Sequence, residues 1–153
     1  MMKQQYIHYG HEMFDNNLFI DISNMECFPK PKGGLWGTPL NARFGWKEWC
    51  EQEKFEQFNE NISFLFTLKE EASVVHIRTA KDVLNLPQQK NPLAQNMPYV
   101  LLDFEEIKNK GVGALELHLS EQEYSNTDRE LKHLLWLWDC DCIPVLNKDV
   151  IIT

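Results

Sequence analysis

Apolar and polar positions change their period several times along the chain, and each change predicts an element. Tyr6-Ile7-His8-Tyr9 ahead of Gly10 predicts a short strand closed by glycine, and Leu18-Phe19-Ile20-Asp21 follows as a second apolar run. Phe28-Pro29-Lys30-Pro31-Lys32-Gly33-Gly34 then carries two prolines and two glycines, so it is a turn-rich loop that hands over to a strand beginning at Leu35-Trp36. After Pro39 the period becomes helical, with Trp46, Trp49 and Cys50 on one face among charged neighbours. Ser63 to Leu68 and Ser73 to Arg78 read as two strands, and the charged Lys69-Glu70-Glu71 between them predicts a hairpin.

The second half is read in the same way. Lys81 to Leu86 is a helical turn stopped by Pro87, followed by a polar, proline-punctuated loop to Pro98 and an extended Tyr99 to Asp103. Phe104 to Lys110 predicts a helix closed by Gly111. Ala114 to Leu119 alternates strictly and predicts a half-buried strand that exposes Glu116 and His118. Ser120-Glu121-Gln122-Glu123 is a capping-box pattern, and Asn126-Thr127-Asp128 a possible restart, before the stripe Leu131, Leu134, Leu135 and Trp138. Cys142 to Leu146 and Val150 to Ile152 close the chain as strands, Pro144 implying an edge or a bulge. Strands and helices without regular alternation predict one α+β domain over residues 1–153, with mixed or antiparallel sheets.

Composition narrows the function. A chain of 153 residues that is 43% hydrophobic can bury one core. Its net charge of −8 disfavours a general nucleic-acid ligand, which needs clustered cations, and the densest basic run is only Lys30-Pro31-Lys32. The four cysteines include no C-x-x-C pair and no signal peptide precedes them, so free thiols in a reducing, cytoplasmic setting are expected. No apolar run approaches a membrane span.

Phosphate-loop, dinucleotide-fold, zinc-protease and serine-hydrolase motifs are missing. The five histidines are scattered, and only His8 with His11, or Cys140 with Cys142, has even loose ligand spacing. A metal-dependent nuclease centre from Asp103, Glu105, Glu106 and Glu116 is outweighed by the abundance of acids, 23 in all. The expectation is therefore a site without metal.

Three features remain: His8-Tyr9-Gly10, then Gly34-Leu35-Trp36 followed by Trp46 or Trp49, then Trp138-Asp139-Cys140-Asp141-Cys142. Their order resembles the ADP-ribosyltransferase superfamily, in its diphtheria-toxin and poly(ADP-ribose) polymerase branch, over most of the chain. In that family a His closely followed by Gly, a Gly-aromatic strand with a further aromatic, and a Glu at the start of a late strand hold NAD. Here one residue separates His8 from Gly10, Trp replaces Tyr, and Asp141, with Asp139 as alternative, replaces Glu.

The resemblance implies that NAD is bound by His8, Gly10, Gly34, Trp36, Thr38 and Trp46, that Asp141 and His8 are catalytic, and that an unidentified macromolecule or water accepts ADP-ribose. Breaking the nicotinamide–ribose bond builds positive charge on the sugar, which a carboxylate stabilises, while aromatic faces hold the flat ring. Trp49 reads as packing rather than site. The alternative is a non-enzymatic acidic module that binds another protein, of the host- or phage-encoded inhibitor type.

Overall fold

The computed structural model describes residues 3–120, 126–135 and 137–153. Among these, the strands are β1 (Tyr6–Tyr9), β2 (Leu35–Pro39), β3 (Ser63–Leu68), β4 (Val74–Ile77), β5 (Ala114–Leu117), β6 (Ile143–Val145) and β7 (Ile151–Ile152). The helices are α1 (Trp46–Gln52), α2 (Ala80–Leu84), α3 (Pro92–Gln95), α4 (Phe104–Asn109) and α5 (Asn126–Leu134). The strands form one mixed sheet in the order β4-β5-β6-β2-β1-β3-β7, so the domain is α+β as its patterning predicts.

Two apolar clusters hold the sheet. One gathers Tyr6, Leu35, Phe66, Leu68, Ala114, Ile143 and Val145, with Val74 and Ile151 packed against it. Every strand contributes a side chain to that cluster, which is possible because the sheet curls around it. The other cluster lies under the helices and joins Ile77, Val83, Phe104, Ile107, Leu115, Leu117, Leu131, Leu135 and Trp138.

Local signals account for the helix ends. Thr79 and Asp82 form a reciprocal capping box at α2, and Asp103 caps α4 by accepting from the Glu106 amide at 3.0 Å. In the last stripe Leu131 and Leu135 are buried, but Trp138 lies beyond the end of α5, its amide donating to the Leu135 carbonyl. Most of the capping-box pattern after Ser120 falls on residues outside those described. The run Leu18 to Asp21 forms no strand: a 3-10 turn at Asn16–Leu18 capped by Asp15 leads into irregular chain.

The predicted hairpin is corrected. Thr67 and Leu68 of β3 pair with Ile152 and Ile151 of β7, and the Lys69 amide donates to the Val150 carbonyl, so the chain end occupies the edge β4 would have used. β4 instead pairs in parallel with β5, His76 opposite Glu116. Parallel neighbours need a long crossover, which residues 78–113 supply with α2, α3 and α4.

Exposure of Glu116 is also corrected. β5 is an interior strand covered on both faces, so Glu116 is only 3% exposed and His118 is half-buried. Pro144 is neither at an edge nor in a bulge of the β2 ladder: it lies in register with Trp36 on a strand between β2 and β5. Its missing N–H falls on the β5 side, between the pairs Ala114 with Val145 and Leu117 with Cys142.

Candidate functional site

β1 and β2 are antiparallel neighbours, with Ile7 opposite Thr38. That register sets His8 beside Trp36, whose carbonyl accepts a hydrogen bond from His8 Nδ1 at 2.7 Å. Burial lowers the His8 pKa, the Trp36 carbonyl partly opposes this and His11 lowers it further, so the ring stays neutral. With Nδ1 donating, Nε2 is left as the acceptor, 2.9 Å from His11 Nδ1. The ring also packs against Phe64 at 4.9 Å.

A cleft of about 490 Å³ opens beside this pair, lined by His8, Phe28, Lys30, Trp36, Gly37, Trp46, Trp138, Asp139, Cys140 and Cys142 among others. Trp36 and Trp138 meet at 5.5 Å, and Lys30 Nζ sits 6.0 Å from the centre of the Trp36 ring. Trp46 stacks on Trp49 at 4.8 Å, so Trp49 buttresses a lining ring without lining the cleft itself. Burial pushes the Cys140 thiol up to about 12 and raises Cys142 as well, which keeps both protonated and unreactive. All four cysteines are free.

The sequence-derived site residues divide. His8, Trp36 and Trp46 line this cleft, and so does Asp139. Gly10 is exposed at positive φ after β1, and Gly34 serves the turn: with φ of 76°, a Cβ there would lie 2.8 Å from the Val145 carbonyl oxygen. Thr38 is buried and acts as a tie, its hydroxyl donating to the Asp141 carbonyl at 2.6 Å and accepting from the Trp46 amide at 3.2 Å. Asp141 is 4% exposed and does not line the aromatic cleft. Its carboxylate accepts from the Ser120 amide at 2.8 Å and from the Ser120 hydroxyl.

Asp141 borders a second cleft, of about 520 Å³, with Tyr6, Arg43, His76, Arg78, Glu116, His118 and Ser120. Here Glu116 Oε2 lies 2.8 Å from His76 Nδ1 and 3.3 Å from His118 Nε2. Burial alone would raise the Glu116 pKa, but His118, His76 and the Tyr6 hydroxyl together hold it below the usual carboxylate range. Burial, with the Glu116 charge, raises the Tyr6 phenol, so that it remains a donor.

The chain matches no family model, no curated protein and no solved structure.

Gly37 was not marked by the sequence, although a Cβ there would press within 2.7 Å of the Phe66 ring. Glu116-Leu117-His118 places two donors on one strand face, a visible signal, but the third donor depends on a parallel pairing that no local pattern specifies. Among the described residues no helix is long and apolar enough to cross a membrane.

Proposed function

We propose that the aromatic cleft binds NAD by its nicotinamide end and cleaves the nicotinamide–ribose bond, in the manner of an ADP-ribosyltransferase or NAD glycohydrolase. The observation that carries this reading is the convergence of His8, Trp36, Trp46 and a carboxylate, Asp139, on one concave site. The tryptophan faces would hold the flat ring and exclude water. Lys30 would meet the pyrophosphate, and neutral His8 Nε2 a ribose hydroxyl that takes the place of its His11 contact.

In this reading the charge-stabilising carboxylate is Asp139 rather than Asp141. Asp139 is exposed beside the cleft, whereas Asp141 is committed to Ser120. A carboxylate near the sugar stabilises the developing oxocarbenium charge, an effect worth about 100-fold or more in rate.

Nicotinamide release from NAD, followed by chromatography, tests the proposal. Asp139→Asn should lose at least about 100-fold of the rate with unchanged thermal stability, while Asp141→Asn should lower stability. Absence of both nicotinamide release and calorimetric NAD binding overturns the proposal and favours the acidic interaction module.

A further inference from the structure

We infer that His76 Nδ1, Glu116 Oε2 and His118 Nε2 form a binding site for one divalent transition-metal ion of the zinc, cobalt, nickel or ferrous class. The site does not use the aromatic cleft. Parallel pairing sets His76 opposite Glu116, and His118 follows two residues on, just past the end of β5. The His118 amide continues the ladder by donating to the Ile77 carbonyl at 2.9 Å.

The three donor atoms form a nearly equilateral triangle, with separations of 2.8, 3.0 and 3.3 Å. At metal–ligand distances of about 2.1 Å, such separations correspond to ligand–metal–ligand angles of about 85–105°. That is a facial arrangement of three ligands, with the remaining positions left to solvent or substrate. Two imidazoles and one carboxylate favour borderline transition ions over calcium or magnesium, which take oxygen donors.

No placement of hydrogens on the two ring nitrogens gives three separate straight hydrogen bonds around this triangle. If both ring nitrogens carry hydrogen, two N–H donors face each other at 3.0 Å. If His118 Nε2 does not, its lone pair faces the carboxylate oxygen at 3.3 Å; if His76 Nδ1 does not, the same conflict arises at 2.8 Å. A cation accepts all three lone pairs at once. The Tyr6 hydroxyl, hydrogen-bonded to Glu116, fixes the carboxylate from behind, as outer partners of metal ligands do. His76 is exposed on edge strand β4 at the cleft, which gives an ion its way in.

Titration of the full chain with zinc chloride by calorimetry, and with cobalt(II) chloride by visible absorption, tests the assignment. One ion per chain is expected, bound at least about 100-fold more weakly by His76→Gln and His118→Gln and about 10-fold more weakly by Tyr6→Phe. Because His76 is exposed on an edge strand, His76→Gln should keep the wild-type circular dichroism spectrum and so separates binding from folding. Absence of stoichiometric binding to the wild-type chain overturns the site. So does unchanged affinity in folded His76→Gln, or a site lost in His8→Gln instead.

Discussion

The two clefts are built on opposite principles. In the aromatic cleft most of the lining is apolar, with tryptophan, phenylalanine and protonated cysteine prominent, and Phe28, Lys30, Trp36 and Trp46 come from one short stretch of chain. In the polar cleft the buried groups are charged or hydroxylic and come from distant parts of the chain, Tyr6, Glu116 and Asp141, with the exposed His76 at its rim. Apolar walls need only to be packed, so they tolerate change in any one contact. Buried polar groups must each keep a partner, so loss of one strands the others. The aromatic cleft can therefore be tuned for a ligand, while the polar cleft is a coupled unit.

Removing a charge from the coupled unit should have the largest effect. Glu116→Ala is expected to cost about 3–5 kcal/mol in urea denaturation, because Tyr6, His76 and His118 lose their common partner. Asp139→Ala, beside the aromatic cleft and exposed, should stay within about 0.5 kcal/mol. Equal costs would erase the distinction between the clefts.

Gly37→Ala comes next, at about 1–3 kcal/mol. Its new Cβ would meet the Phe66 ring and approach the Ile7 carbonyl at 3.2 Å, so the aromatic cleft does have one intolerant point, where its floor meets the core. A smaller loss, about 1–2 kcal/mol, is expected for Thr38→Val, which deletes the hydroxyl joining Trp46 and Asp141. Faster hydrogen exchange at the Trp46 amide would show that Thr38 links the two clefts.

The smallest effect is a pH dependence at His8. Its folded-state pKa lies below the ordinary value, so as the pH falls the unfolded chain takes up the proton first. The stability contribution is thus fully present above the unfolded pKa of about 6.5 and is lost as the pH drops towards the folded value. His8→Gln should flatten that part of the thermal midpoint's pH profile. An unchanged profile would mean that burial of His8 is not felt in solution.

Much of the aromatic cleft was legible in the sequence because its signals are local. The proline-glycine turn, the strand at Leu35 and the helix carrying Trp46 follow one another within a short stretch, and His8 needed only the adjacent antiparallel strand to meet Trp36. The choice between Asp139 and Asp141 was not legible. Both adjoin the buried Cys140, and the Ser120 contacts draw Asp141 into the other cleft.

By itself the sequence determined where most elements begin and end: the apolar periods, the capping at Thr79 and Asp103, and the turns at Gly10, Gly33 and Gly34. These depend on interactions within a few residues. The tertiary structure decided which strands pair, and with that the fate of Glu116. A strand between Ala114 and Leu117 alternates in the same way whether one face meets water or both are covered. Only when β4 lies parallel to it, with His76 opposite Glu116, does the carboxylate become a buried charge held by two histidines and a tyrosine.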